Sequence, residues 1–215
     1  MNLVPMVIEQ TPSGERAMDI ASVLMQHRII RIDSAVDENL ASRVCSQIMY
    51  LNSVSSDDIY MYINTPGGCV YSGLAIADAM ESSRSDIVTI VSGHAASMGC
   101  FLCSSGTRGK RFATRRAYIM SHMVSSGYKG EIQNYEASFE HTKEMNTMLM
   151  TEIARNIGVT YDKFYEDCRV DKWMTPETAL HYGEFGMIDG IITGRQDRST
   201  GKFTAKMRDG SIITM

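Results

Sequence analysis

The sequence predicts an α/β fold with a largely parallel sheet, and three observations lead to this prediction. Strand-like and helix-like segments alternate along most of the 215 residues. The links between these segments are short, as expected for repeated strand–helix units. With 44% hydrophobic residues, the chain has enough apolar material for the core of one globular domain. Functional residues of such folds are expected at the carboxyl ends of the strands.

The chain up to residue 63 contains one predicted strand-to-helix passage and a second strand. The predicted elements are an irregular or weakly extended arm (1–16), a helix (19–27), a strand (28–32), a helix (37–52) and a strand (58–63). In the helix over 37–52, apolar residues recur at helical spacing and form one face: Leu40, Val44, Ile48 and Leu51. This face is therefore predicted to pack on the sheet.

From residue 70 onward the alternation continues and the pattern then changes. The predicted elements are a helix (70–82), a strand (87–91) that stops at Gly93, a helix opened by Ser97, a strand-like stretch (117–120) and a long helix within 130–156. Gly158 supplies the stop signal of the long helix. A helix of this length fits poorly inside a compact domain, so we favour an arm that packs on another subunit over a core helix. Residues 202–215 contain either a hairpin around Asp209-Gly210 or a mobile tail.

Composition excludes several function classes. The formal net charge of −4 argues against nucleic acid as a partner, and no apolar run reaches membrane-spanning length. The N-terminal residues lack the basic start and apolar core of a secretory signal. The five cysteines fit neither a disulfide framework nor a zinc site, so we predict no metal and a reducing, cytoplasmic location. Residues 106–110 lack the spacing of a phosphate-binding loop, so any ATP must be used by a partner.

Ser97 lies where the apolar strand over 87–91 gives way to a helix. Small residues before it allow a tight turn, and a serine at such a turn stands clear of its own backbone at the positive end of the helix. This position suits a nucleophile whose attack creates an oxyanion. The alternative is an ordinary helix-capping serine, which taken alone is the better interpretation.

The pair Gly67-Gly68 follows the strand over 58–63. A glycine pair after a strand exposes backbone N–H groups that can donate to a developing negative charge. The alternative is a simple turn. Because both strand ends occur in one short domain, together they favour a catalytic site over two unrelated turns.

A serine nucleophile requires a general base and a group that orients this base. Among the five histidines, His122 is favoured because it follows an apolar strand-like run, and His94 is second because it lies three residues from Ser97. For the acid, Asp171 lies before a helix start with Thr175 as the capping residue. A surface aspartate is the alternative interpretation of Asp171.

Several of these segments together resemble the proteolytic subunits of the caseinolytic (Clp) protease family. The segments that support the resemblance are 3–11, 14–16, 59–68, 93–99, 109–112, 127–130 and the region of Asp171. The resemblance covers roughly residues 3–193, and the motifs are specific in combination. It implies a ClpP/crotonase-like α/β fold, with mainly parallel sheet units and a protruding long handle helix.

The resemblance also implies a role for each candidate residue. Ser97 matches the nucleophile, His122 the base and Asp171 the orienting acid, while Gly68 and Met98 match the backbone donors of the oxyanion hole. The implied activity is that of a serine endopeptidase, which cuts unfolded polypeptides into short peptides through an acyl-enzyme. No cofactor is implied for the chain itself.

The partners implied by the resemblance are further copies of the chain, an AAA+ unfoldase that uses ATP, and unfolded protein substrates. The copies form heptameric rings, stacked as a tetradecamer, and the unfoldase docks at Tyr60, Tyr62 and Ser82. The implied organisation is an axial gate arm (1–18), a peptidase domain (19–193) with its handle around 123–157, and a C-terminal tail (194–215).

Three departures from the family pattern favour an alternative function. His122-Met123-Val124 stands where the family usually has His-Gln-Pro, Val170 replaces an arginine that helps to link the rings, and Ser82 replaces an aromatic residue of the docking pocket. The alternative is a structural or regulatory subunit that joins mixed rings and modifies gating or docking. A crotonase-type acyl-CoA enzyme shares the fold but does not need the three catalytic side chains, and it ranks third.

Overall fold

The computed structural model describes residues 5–12, 14–127, 129–194, 197 and 199–215. Its helices are α1 (Ile20–Gln26), α2 (Glu38–Val54), α3 (Val70–Glu81), α4 (Met98–Ser104), α5 (Tyr135–Ile157), α6 (Tyr161–Asp167) and α7 (Pro176–His181), with a 3₁₀ turn at Ile132–Asn134. Its strands are β1 (Met6–Thr11), β2 (Gly14–Asp19), β3 (Ile29–Ile32), β4 (Ile59–Thr65), β5 (Ile87–Ala96), β6 (Arg111–Thr114), β7 (Tyr118–Ser121), β8 (Lys172–Met174), β9 (Gly190–Ile192), β10 (Thr204–Met207) and β11 (Ile212–Thr214). Within this described part of the chain, no helix combines the length and apolar composition that a membrane span requires.

The main sheet is largely parallel, as predicted. Its strand order is β11-β10-β9-β6-β5-β4-β3, and β7 and β8 branch from β5. The pairs from β3 to β6, the β6–β9 pair and the β5–β7 pair are parallel, whereas β8, β10 and β11 join antiparallel. Helices carry the chain between the parallel strands, so the carboxyl ends of β4, β5 and β7 lie along one edge.

The hydrophobic core lies between this sheet and the helices. The predicted apolar face of α2 is confirmed, since Leu40, Val44, Ile48 and Leu51 are all buried. Every residue of α4 is buried as well, so the helix that follows Ser97 is embedded in the core. Ser97 is thus attached to one of the most rigidly packed elements of the protein.

Strand β5 is longer than predicted, and the expectation that it stops at Gly93 is wrong. The strand continues to Ala96 because it exchanges neighbours: Thr89–Val91 pair with β6, whereas His94–Ala96 pair with β7. Gly93 allows the change, since its φ of 99° is unfavourable for other residues and a Cβ there would lie 2.5 Å from Asn64 Oδ1. This exchange gives β7 a place beside Ser97.

For residues 1–16 the sequence predicts an irregular or weakly extended arm, and the described residues are extended but paired in regular strands. β1 and β2 form an antiparallel hairpin outside the main sheet, from the pair Met6–Asp19 to the pair Thr11–Gly14. Most of its side chains are exposed, so the alternation of buried and exposed residues that indicates a strand is weak here. Residues 1–4 and 13 of the predicted gate arm lie outside the described residues.

The long helix α5 has two different halves. Its C-terminal half is a core helix with Leu149, Ile153 and Ile157 buried, and Gly158 ends it in the left-handed conformation, as predicted. Its N-terminal half carries large exposed apolar residues, including Tyr135 and Phe139. The two interpretations of this helix, core element and projecting arm, therefore each apply to one half.

The C-terminal residues form the hairpin rather than the mobile tail. β10 pairs with β9 and with β11, so the hairpin extends the main sheet. Ala205 is buried in a second, smaller core cluster with Val88, Ile90 and Phe112. Residues 195, 196 and 198 of the predicted tail lie outside the described residues, and the predicted domain boundaries stay predictions.

A buried ion pair joins the far side of the sheet to the base of α5. Arg111 Nη2 lies 2.7 Å from Asp189 Oδ1, and the two side chains are only 1% and 9% exposed. The same guanidinium donates to the backbone oxygens of Asn156 and Phe185. The two charges compensate each other within the protein. Through these contacts Arg111 links β6 with α5 and with the segment before β9.

Candidate active site

Ser97 occupies a strained turn between β5 and α4. Its φ of 55° and ψ of −117° are rare for a residue with a side chain. Its backbone N–H donates to Met120 O at 2.8 Å, which ties the turn to β7. Its side chain makes no capping hydrogen bond to α4, so the capping interpretation of this serine finds no support. The hydroxyl projects clear of the helix, as in nucleophile turns of hydrolases.

His122 is the residue that the structure brings to this hydroxyl. It follows β7, which runs parallel to the end of β5 with Met120 opposite Ala96. His122 Nε2 lies 2.8 Å from Ser97 Oγ, within hydrogen-bond distance. A serine and an imidazole in this contact have the geometry of a nucleophile and its general base.

Asp171 faces the other nitrogen of the same ring. β7 and β8 pair antiparallel with Ser121 opposite Lys172, and the next step of this register sets His122 opposite Asp171. The distance from His122 Nδ1 to Asp171 Oδ1 is 3.8 Å, with the side chains 28% and 60% exposed. The contact is electrostatic, because the atoms are too far apart for a direct hydrogen bond.

The backbone of Gly67-Gly68 lies against the turn of Ser97. A Cβ on Gly67 would lie 2.6 Å from Ser97 Cβ and 3.0 Å from Met98 N, so only glycine permits this approach. Gly68 and Met98 line the same pocket as Ser97 and His122. Among the described residues, neither the N–H of Gly68 nor that of Met98 has a hydrogen-bond acceptor. Both donors are therefore available to an oxyanion.

The pocket beside Ser97 is small and has both polar and apolar walls. Its volume is about 60 Å³. Its walls come from α3, α4, α5 and the loop after His122: Val70, Met98, Phe101, Met123, Val124, Leu149, Met150 and Ile153. These apolar walls suit contact with an apolar side chain.

With this geometry in place, relatives can be compared. Residues 12–195 match a family model described as Clp protease. The chain belongs to the Clp protease family. The ATP-dependent Clp protease proteolytic subunit of Streptococcus thermophilus is 41% identical over 197 residues, which cover 90% of this chain and 99% of that protein. The subunit of the same name from Ligilactobacillus salivarius is 40% identical over 197 residues, 91% of this chain and 98% of that protein.

Two other histidines of this Clp family member contact partners other than Ser97. His94 was the second candidate base, but its Nδ1 lies 3.0 Å from Asn64 Oδ1 and its backbone N–H donates to the same oxygen. His141 contacts the hydroxyl of Tyr71 at 2.7 Å, so it is not merely a solvated surface residue. Sequence spacing favoured His94 as a neighbour, but the strand direction turns its ring elsewhere.

The predicted docking residues fall into two separate places. Tyr60 and Tyr62 lie on β4 and pack against the second core cluster, and burial raises the pKa of Tyr62. Phe203 packs on the same cluster and lines a groove with Tyr62. Ser82 ends α3 and donates to Asp78 O, and it does not line this groove. The sequence did not single out Phe203, because nothing in the C-terminal segment indicated a function.

The cysteines are all free thiols. Cys100 and Cys103 are buried in the core as predicted, and burial raises the pKa of Cys103 to about 12. Cys69 is exposed beside Gly68, and hydrogen bonds with Ser72 lower its pKa. No group of three or more His, Cys, Asp or Glu side chains that could hold a metal occurs in the described part of the chain.

Proposed function

We propose that this chain is the serine endopeptidase subunit of an ATP-dependent protein-degradation machine. The observation that supports this most directly is the contact of 2.8 Å between His122 Nε2 and Ser97 Oγ at a strained turn. Gly68 and Met98 line the same pocket, and their N–H groups have no acceptor among the residues that the structure describes. The relatives are named as proteolytic subunits of the Clp protease, which agrees with this chemistry.

The proposed reaction is acyl transfer in two steps. His122 Nε2 takes the proton of Ser97 Oγ while this oxygen attacks the peptide carbonyl, and the N–H groups of Gly68 and Met98 donate to the oxyanion. The same imidazolium then gives its proton to the leaving amine, and the acyl group stays on Ser97. Water, activated by His122, releases the peptide acid and restores the serine.

Asp171 is proposed to orient the His122 ring through Nδ1 and to stabilise the imidazolium. At 3.8 Å the carboxylate needs a shift of about 1 Å to accept a hydrogen bond from this nitrogen. This gap also supports the second candidate, a structural or regulatory subunit of mixed rings in which Asp171 stays too far from His122. If the chain is a peptidase subunit, assembly closes the gap. If it is a regulatory subunit, the gap remains after assembly.

The proposed partners follow from the family and from exposed surfaces. We expect heptameric rings stacked as a tetradecamer, since Ile132, Tyr135 and Phe139 present apolar surface at the start of the handle. An AAA+ unfoldase is expected to use ATP, to dock near Tyr60 and Tyr62, and to supply unfolded protein. Ser82 can contribute to the docking surface near Tyr60 and Tyr62 only if the Ser82 of a neighbouring copy lies beside these tyrosines. The β1–β2 hairpin is the expected gate, the peptidase itself is expected to use no cofactor, and a cytoplasmic location stays a prediction.

The proposed function is tested by the hydrolysis of a short fluorogenic peptide with an apolar residue before the scissile bond. We expect turnover by the purified protein, unchanged by EDTA, and a fall of at least about 1,000-fold in kcat for Ser97→Ala. Asp171→Asn should also lose activity while it retains the fold. Turnover that persists in Ser97→Ala would overturn the mechanism. Absence of turnover in the wild type, in a fully assembled oligomer, would favour the regulatory subunit.

A further inference from the structure

Among the described residues, a single hydrogen bond connects the loop after His122 with the handle helix. Residues 122–127 form neither helix nor strand, although they supply His122 itself and the pocket wall of Met123 and Val124. Among the described residues, one hydrogen bond ties the backbone of 123–127 to the rest of the protein. It runs from Val124 N to Asn146 Oδ1, at 2.9 Å. The position of the base therefore depends on a side chain of α5.

Asn146 lies on the face of α5 that forms the pocket. Leu149, Met150 and Ile153 follow it by three, four and seven residues, and all three line the pocket beside Ser97. Residues at these spacings share one side of a helix. The same helix face thus provides the floor of the pocket and the acceptor that binds the loop forming its wall.

Val124 can take part in this bond only because it is not proline. The resemblance places proline at this position, and proline has a fixed φ but no N–H to donate. In this chain the restraint from a proline ring is absent, and a hydrogen bond to Asn146 restrains the loop in its place. Met123 and Val124 also pack on the main core cluster, so the loop is anchored on both its polar and its apolar side.

We propose that Asn146 is a positioning residue for catalysis, which holds His122 in reach of Ser97 through the N–H of Val124. This inference rests on the proposed peptidase function. Asn146 touches no reacting atom. Its removal lets the loop move, and a displaced base lowers the rate of the chemical step more than it weakens substrate binding.

The test is a double-mutant cycle on the assembled protein. Active sites are counted by labelling the reactive serine with a fluorophosphonate, and each rate is divided by this count. Asn146→Ala should lower kcat for the fluorogenic peptide about 10-fold with KM nearly unchanged. In a Val124→Pro background, the same substitution should cost less than about 2-fold, because the N–H that it serves is gone. Thr147→Ala, an exposed neighbour on α5, is the matched control and should leave kcat unchanged. Equal losses in both backgrounds, or no loss in the first, would overturn the proposal.

A second readout does not depend on activity. Deuterium exchange of the segment 122–127 should rise in Asn146→Ala and stay at the wild-type level in Thr147→Ala, at equal thermal midpoints. Unchanged exchange in Asn146→Ala would contradict the positioning role. If the wild type shows no turnover that depends on Ser97, the proposed function fails, while the exchange experiment still decides whether Asn146 holds the loop.

Discussion

At the residue scale, the site depends on close backbone approach. Gly67 combines a φ of 93° with contact to the Ser97 turn, and a Cβ there would also lie 2.7 Å from Ala96 O. Its N–H donates to the buried hydroxyl of Thr65, which also bonds Ser34 O. The end of β4 is therefore held against Ser97 by a small hydrogen-bonded network, with no room for a side chain at Gly67.

We predict that Gly67→Ala lowers kcat/KM about 100-fold or more, because the new methyl group must push the Ser97 turn away from the base. Gly210→Ala is the control, since Gly210 also has a positive φ of 84° but open space around its Cβ position. In both variants the alanine must adopt a positive φ, which costs about 1 kcal/mol of conformational free energy in each. Peptide hydrolysis and thermal unfolding of the two variants separate the steric effect from this strain. Equal activity in the two variants would refute the argument.

At the element scale, the antiparallel register of β7 and β8 aligns His122 with Asp171. The chain enters β8 from α6, whose last residue, Asp167, accepts a hydrogen bond from Tyr182 at 2.6 Å and pairs with Lys163 and Lys172. Burial alone would raise the pKa of Asp167, but the bonds from Lys163 and Tyr182 outweigh it and lower this pKa below its usual 3.8. This carboxylate fixes the segment that leads to Asp171.

We predict that Asp167→Asn lowers the free energy of unfolding by about 1 kcal/mol at pH 7. Because the pKa of Asp167 is depressed in the folded state, the stabilisation is complete above its unfolded value near 3.8 and is lost as the pH falls through the lowered value. Urea unfolding should therefore show the difference between variant and wild type at pH 7 and a shrinking difference below pH 3.8. Glu166→Gln, an exposed carboxylate on the same helix, should show neither effect. A difference that is constant with pH would contradict the assignment.

At the scale of the whole molecule, several large apolar side chains remain exposed in the single chain. The first half of the handle projects with Phe139 54% exposed, and Tyr118 and Trp173 are exposed on β7 and β8. The apolar surface of the handle suits contact between rings. The surface of Tyr118 and Trp173 lies on β7 and β8, the strands next to His122 and Asp171. Assembly and closure of the triad are thus expected to be coupled through these elements.

We predict that Phe139→Asp halves the mass of the oligomer, because a buried carboxylate without a partner disrupts an apolar interface. Sedimentation velocity should show two stacked rings for the wild type and single rings for the variant. Met49→Asp replaces an exposed apolar residue on α2 and should leave the oligomer intact. A tetradecamer that persists in Phe139→Asp would show that the handle does not join the rings through this residue.

Much of the site was predictable from local patterns. Ser97 and Gly67-Gly68 could be found because each follows a strand, and parallel strands present their carboxyl ends at one edge. The apolar spacing of α2 and the glycine stop after α5 likewise predicted elements that the structure contains. The exposed hairpin β1–β2 was missed because strands without a buried face carry little pattern.

The sequence by itself determined the fold class, the helix faces and the residue types at each strand end, because these depend on neighbours within a few residues. The sequence already favoured His122 over His94, but only the tertiary structure gives the 2.8 Å distance from His122 to Ser97 and shows that β5 changes partners at Gly93 and turns His94 towards Asn64. It also decided how far Asp171 lies from the base and that Asn146 holds the loop. These contacts join residues many positions apart, and their distances follow from strand register and helix packing, which no local pattern encodes.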